Sequence, residues 1–389
     1  MSSMDKIKVG VMGVGNMGRS HASKLYNGEI KGAKLTAVCD VMKEKLEWVK
    51  HQFGDDIQLF QDEDHFFNEA NIDAIIIATP HYQHPKTSMR AFSQDLHVLL
   101  EKPVGVYTKN VREMNELSQQ SDLVFSMMYN QRTNPLFQKV RDLIQSGELG
   151  EIKRTNWIIT DWYRSQSYYD SSEWRATWKG EGGGVLLNQA PHQLDLWQWT
   201  TGLMPKKVRG FMQYGKYHEI EVEDDVTAYV EYENGATGVF ITSTGEAPGT
   251  NRFEIVGDRG KIVVENNKLT FYRLTQSERD FNATDQTGFG RPECWEIDVP
   301  IKGVATDHAG IMQNWVNAIR TGEELLAPGI EGIKGLEISN AIYLSSWLDE
   351  TVELPLNEDL FYDKLKERMD QSQQKKSGVN RSLDISNSF

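Results

Sequence analysis

Two cysteines in 389 residues are too few for a disulfide framework, and Cys39 and Cys294 offer no zinc pattern, so a stapled secreted domain is excluded and a reducing compartment is expected. No stretch approaches the ~18 consecutive apolar residues of a membrane span. Met1–Lys6 has no apolar core of a signal peptide, which predicts a cytoplasmic chain with no membrane partner. Positive charge is also short. Forty-two Lys and Arg against 56 Asp and Glu leave a formal net charge of −14 with no basic stripe, which argues against nucleic acid or anionic lipid as partners. A G-x-S-x-G elbow for serine hydrolysis is absent, as are internal repeats. A chain of this length predicts two domains, each able to bury its own core.

What the chain does have begins at its seventh residue. An apolar run, Ile7–Met12, leads into Gly13-Val14-Gly15-Asn16-Met17-Gly18, a helical pattern follows, and Asp40 closes the next apolar run 22 residues beyond Gly18. Strand, glycines, helix, strand and acid in that order form a dinucleotide-binding fingerprint. Gly13 lets the chain turn out of the strand, Gly15 lets backbone N–H groups reach a pyrophosphate, and Gly18 lets the helix approach the sheet. The pyrophosphate, contacted by Asn16 and Met17, then lies at the positive end of that helix. Asp40 would accept hydrogen bonds from ribose hydroxyls and repel a 2′-phosphate, so NAD is expected over NADP. Lys43 and Lys45, within reach of a phosphate, weaken that preference.

Apolar runs at Ile7–Met12, Leu35–Cys39, Ala74–Ala78, Val98–Leu100 and Val124–Met127 read as buried parallel strands, separated by segments of helical length. They predict a doubly wound α/β domain over residues 1–129. From residue 130 the rhythm changes to longer alternating strands, and Asn234-Gly235 between two such runs predicts a hairpin. Residues 130–356 are therefore read as a second domain, a mostly antiparallel sheet with helices on one side, completed by helices near 311–320 and 332–348. Residues 357–389 read as a polar helix, about Asp359–Met369, and a mobile tail from Gln371.

A second cluster follows the runs Ala74–Ala78 and Val98–Leu100: Ala78-Thr79-Pro80-His81 with His84, then Glu101-Lys102-Pro103. Loops at the carboxyl ends of strands line the ligand crevice of such a sheet, which makes Thr79, Pro80, His81, His84, Glu101 and Lys102 cofactor-binding candidates. At that place the Lys102 ammonium could hydrogen-bond a substrate hydroxyl and favour its alkoxide. His81-x-x-His84 has ligand-like spacing, but with no acidic or cysteine partner identifiable no metal is expected.

Together with Gly182-Gly-Gly184-x-Leu186-x-Asn188-x-x-x-His192-x-x-Asp195, these motifs resemble the glucose–fructose oxidoreductase / inositol dehydrogenase / rhizopine catabolism superfamily over residues 6–356. The resemblance implies an N-terminal Rossmann domain, a C-terminal domain with an open antiparallel sheet, and dimers or tetramers formed through that sheet. It implies that Lys102 and His192 flank the reacting substrate carbon and that Trp174 and Arg175 reach the cofactor. An imidazole near its ordinary pKa suits the removal of a hydroxyl proton while hydride goes to NAD. Asn188 stands where the family often has Asp, so a carboxylate that would orient His192 is missing. Asp195, one turn on, could take over that role or be a surface acid. Trp162, Tyr163, Arg164 and Trp178 form an aromatic and basic loop that suits a carbohydrate or cyclitol, or else packs the loop onto the sheet. The expected activity is NAD-dependent oxidation of a secondary hydroxyl on a sugar, sugar derivative or inositol. Redox-neutral epimerisation or glycoside cleavage through transient oxidation remains open, as does a sensor that has lost catalysis.

Overall fold

The computed structural model describes residues 6–373. Six parallel strands, β1 (Ile7–Met12), β2 (Ala33–Cys39), β3 (Gln58–Phe60), β4 (Ala74–Ile77), β5 (His97–Leu100) and β6 (Phe125–Met127), lie in the order β3-β2-β1-β4-β5-β6. This is the doubly wound order, with its switch point between β1 and β4. Ala74–Ile77 is buried at every position, as a strand covered on both faces must be. Helices α1 (Asn16–Tyr26), α2 (Lys43–Phe53), α3 (Glu63–Glu69), α4 (His84–Phe92) and α5 (Thr108–Ser118) make the crossovers. The sequence reading missed β3, whose three residues are too few to show a period.

Helix α6 (Pro135–Gln145) leads into the second half. There β7 (Ile152–Ile159) is followed by the short helices α7 (Gln166–Tyr169) and α8 (Val185–Asn188), then by α9 (Pro191–Thr201). Strands β8 (Pro205–Tyr214), β9 (Glu223–Tyr232), β10 (Thr237–Ser243), β11 (Asn251–Gly257), β12 (Gly260–Glu265) and β13 (Lys268–Leu274) follow, then α10 (Glu278–Thr284) and β14 (Cys294–Asp298). Helices α11 (Asp307–Thr321) and α12 (Gly332–Leu348), strand β15 (Val352–Glu353) and helix α13 (Glu358–Gln371) complete the described chain. The nine strands run β14-β13-β12-β11-β7-β10-β9-β8-β15 and are antiparallel except where β10 lies parallel to β7. The expected hairpin joins β9 to β10, with Gly235 at φ +80° in the turn. One face of this sheet carries α12 and α9, where Trp197 stacks on Phe240 at 5.4 Å.

The expected span of the second domain, 130–356, needs one correction. Helix α11 packs back on the first sheet: Trp315 Nε1 donates to the Val124 carbonyl at 3.4 Å, and Gln313 bonds the backbone of Lys31 through both its amide atoms. The segment after it borders β6, where Met127 N donates to Ala327 O at 2.9 Å. The apolar face of α11 has to be covered, and sequence order alone does not say by which sheet. The polar helix expected near 359–369 is α13, anchored by buried Phe361 and Leu365, with Phe361 stacked on Trp347 at 5.2 Å. The expected mobile tail falls mostly outside the described residues.

Candidate active site

The three glycines of the first turn have different reasons to be there. A Cβ on Gly13, which sits at φ +90°, would lie 2.4 Å from the Ala78 carbonyl oxygen, and one on Gly18 would lie 1.8 Å from that of Gly13. Turn and helix packing therefore demand glycine at both. A Cβ on Gly15 would meet no protein atom, so packing does not explain that glycine. Gly15 is also the N-cap of α1 and supplies no side chain to its amides. An uncapped helix start with room over it fits a pyrophosphate. Asp40 lies alongside at the end of β2, buried, accepting from Val14 N at 2.7 Å and Met42 N at 2.9 Å and pairing with Lys45 at 3.2 Å. Lys45 is thus engaged by the acid, and Lys43 pairs with Glu47 on the surface.

The loops after β4 and β5 are stapled together by His84. Its Nδ1 faces the Pro103 carbonyl at 2.6 Å and its Nε2 that of Thr79 at 2.8 Å, while burial lowers its pKa. His81 Nδ1 lies 3.0 Å from the Glu181 carbonyl, Trp174 meets the His81 ring edge-on at 5.8 Å, and burial pulls the pKa of this imidazole well down too. Both imidazoles are committed to backbone carbonyls. The Lys102-Pro103 bond is cis. Glu101 accepts from Lys102 N at 3.1 Å and meets His21 at 2.6 Å. Burial would raise this acid, but the His21 contact outweighs it and holds the carboxyl down at about 2.

Lys102 Nζ donates to the backbone carbonyl of Asn188 at 2.8 Å, bringing β5 of the first sheet to α8 of the second half. Asn188 is partly exposed and gives its amide to the buried carboxylate of Glu181. One turn on, His192 is the second residue of α9, buried, with its ring edge-on to Tyr129 at 6.1 Å. Its Nδ1 has no hydrogen-bond partner among the described residues. Burial first, then the charges of Lys102 and His308, push its pKa down to about 3, so the ring is neutral at neutral pH. Burial also lowers Lys102, against the opposing pull of Glu101 and Glu181. Lys102 thus meets the Asn188 backbone, with His192 one turn farther along the chain.

Two expected substrate ligands face elsewhere. Asp195 neither orients His192 nor lies at the surface. Its two oxygens take Arg132 Nη2 at 2.6 Å and Nε at 2.8 Å, with both side chains buried, and Arg132 Nη1 reaches Glu331 at 2.5 Å. Trp178 is also buried, wedged edge-on against Tyr343 at 5.9 Å and Trp347 at 5.8 Å, so it packs the loop onto α12. Of the rest of that loop, Arg164 and Arg175 lie close enough to act on the Lys102 charge. Arg175 donates to the Tyr168 hydroxyl at 2.6 Å and covers its ring at 4.4 Å, and Gln189 reaches the same hydroxyl at 3.1 Å. Arg164 covers the same ring at 5.3 Å, Tyr163 is exposed and Trp162 buried.

Two anchors escaped the sequence reading. Glu223 takes Gly184 N at 3.0 Å, Leu186 N at 3.0 Å and the Tyr343 hydroxyl at 2.6 Å, fixing the glycine segment to β9, although burial pushes this acid up to about 7. Glu181, the one acid between Glu173 and Asp195, accepts from Ala176 N at 2.5 Å and lies 3.7 Å from Arg175. An acid placed directly before three glycines was the available signal.

Comparison with known proteins gives one answer. Residues 7–129 match an oxidoreductase family's NAD-binding Rossmann fold, and residues 137–263 match the C-terminal domain of the same family, GFO/IDH/MocA. The chain is 23% identical over 349 residues to scyllo-inositol 2-dehydrogenase (NAD(+)) of Bacillus subtilis, covering 86% of this chain and 93% of that one. It is 25% identical over 278 residues to myo-inositol 2-dehydrogenase of Thermotoga maritima, covering 70% and 80%. The WlbA dehydrogenase of Bordetella pertussis, solved with NADH and UDP-GlcNAcA, superimposes with a TM-score of 0.76 at 25% identity, over 90% of this chain and 100% of that one.

Proposed function

We propose that this chain, which belongs to the GFO/IDH/MocA family of NAD-binding oxidoreductases, moves hydride between NAD and a secondary hydroxyl of a sugar, sugar derivative or cyclitol, with Lys102 and His192 at the reacting oxygen. The observation that carries this reading is the meeting of Lys102 with the Asn188 carbonyl, one turn before a buried and neutral His192, at the carboxyl edge of a nucleotide-binding sheet. Held at the start of α1, NAD supplies a hydride acceptor. An ammonium has three N–H donors. Lys102 gives one to Asn188 O, leaving the others for a substrate oxygen, where its charge favours the alkoxide as the C–H bond breaks. The His192 ring, kept neutral by burial, takes the hydroxyl proton, as a weaker base than the near-ordinary imidazole expected from the sequence. Asn188, Tyr163 and Arg164 would orient the ring of the substrate, and Trp174 and Arg175 would close the cofactor side.

We assign self-association to the open face of the second sheet. Exposed Phe211 and Tyr229 share that face with partly exposed Val239, Ile241 and Ile158 on neighbouring strands, an apolar patch broken by Thr227. Such a patch is the usual mark of an interface.

Absorbance at 340 nm, with NAD and separately NADP against monosaccharides, anhydrosugars, glycosides, inositols and nucleotide sugars, tests the reading. NADH formation with a panel member is the expected result. Silence across the panel with NAD released on denaturation would instead indicate redox-neutral chemistry, and silence without bound NAD would sink the enzymatic reading.

A further inference from the structure

We infer that Glu181 is the positioning acid of this site: its buried carboxylate takes the Asn188 amide N–H, fixing the residue whose backbone carbonyl holds Lys102 and leaving the Asn188 Oδ1 for a substrate hydroxyl. The inference rests on the reading that Lys102 contacts the reacting hydroxyl.

Three observations meet at this residue. Glu181 is 1% exposed, and a carboxylate so buried has to be matched by charge and donors. Its Oε1 takes the Asn188 amide and lies 3.7 Å from Arg175 Nη1, while its Oε2 takes Ala176 N at 2.5 Å. Ala176 sits at φ +56°, a conformation a non-glycine residue adopts only when its surroundings hold it there. Glu181 thus fixes the loop that carries Arg175 and, through Asn188, the backbone carbonyl to which Lys102 donates. An amide has one donor end and one acceptor end. With Nδ2 on the carboxylate, the end left for a hydroxyl is the acceptor. No carboxylate at position 188 is then needed, because the charge arrives from seven residues upstream.

The charged surroundings of Lys102 show why a second acid matters. Arg164 and Arg175 lie around it as cations, the uncharged rings of His81, His84 and His192 add none, and burial already lowers its pKa. Glu101 opposes this but is engaged with His21. Glu181 is the second anion whose charge favours the Lys102 ammonium.

Competitive acetylation of Lys102 across pH, read by mass spectrometry on the full chain with NAD, measures its ionisation without a substrate. In Glu181→Gln the Lys102 profile is expected to move down by about one pH unit or more, the shift typical of losing a nearby opposite charge. Adding Asn188→Asp in the Gln variant should restore the profile, since the charge returns one hydrogen bond away. The same variants are assayed on whichever of scyllo-inositol, myo-inositol or UDP-GlcNAcA supports turnover, where the alkaline side of the kcat/KM profile should move with the labelling profile. An unshifted Lys102 profile in a folded Glu181→Gln variant, or a shift that Asn188→Asp leaves in place, would overturn the inference. Full turnover in Lys102→Ala would instead overturn the functional reading beneath it.

Discussion

Replacing Asp195 by Asn would separate structure from chemistry at the one acid whose place differed most from expectation. Asp195 and Arg132 are buried at 1% and 0% exposure, and two of the guanidinium's N–H groups end on that carboxylate. An Asn keeps the size but offers one acceptor where there were two, and it turns an N–H toward a donor. Breaking a buried pair from one side costs about 3–5 kcal/mol when the surviving charge has no other partner. Arg132 retains Glu331, whose side chain is 27% exposed, so the expected loss lies near the lower end, about 3 kcal/mol. At roughly 1–1.5 °C per kcal/mol for a chain of 389 residues, thermal unfolding should come about 3–5 °C earlier. The assay is a melting curve beside kcat and KM measured well below the transition. KM should stay within about twofold, because Asp195 faces α9's support and not the substrate. A KM rise of about tenfold with an unshifted melting curve would refute the argument and return Asp195 to the binding site.

Other outcomes follow from the same geometry. Asp40→Ala should weaken NAD by about tenfold or more, the value of charge-assisted hydrogen bonds, and narrow the preference over NADP because Lys45 is released; nucleotide titration by fluorescence reads both, and unchanged NAD affinity would contradict the ribose role. His192 is depressed from 6.5 to about 3 by burial, so the unfolded chain takes up the proton first and stability falls as pH drops from 6.5 toward 3. A His192→Gln variant should show a shallower fall in melting temperature across that window; parallel curves would show that the ring does not titrate as described. Ile241→Asp places a charge in the centre of the open sheet face and should convert an oligomer to monomer in light scattering, whereas an unchanged mass would clear that face of an interface role.

The features readable in the sequence were those set by near neighbours. Gly18 is demanded by an atom of its own turn, Gly13 by its positive φ, the Asn234-Gly235 hairpin by its own φ, and the buried strands by unbroken apolar runs. What stayed hidden depends on residues far apart in the chain. The partner of Asp195 lies 63 positions away, that of Glu223 lies 120 away at Tyr343, and α11 chooses a sheet whose last strand ended some 180 residues before it. Trp178 shows the same limit in a single side chain. Its composition suits sugar stacking and core packing equally, and only the arrival of Tyr343 and Trp347 decides between them. Glu181 was passed over because a lone acid in a loop has no periodicity to mark it.

The return of α11 to the first sheet makes the nucleotide-binding half a poor candidate for transplantation. A fragment cut after residue 129 would strip Trp315 from its place beside Val124 and leave β6 without the main-chain neighbour that 327–328 provide. It would present a bare strand edge and an uncovered apolar face, the combination that draws other chains into unwanted pairing. Any recombination that exchanges cofactor specificity between such proteins has to carry 307–328 with the N-terminal part, so the natural unit of inheritance here is discontinuous in the gene although it is contiguous in space.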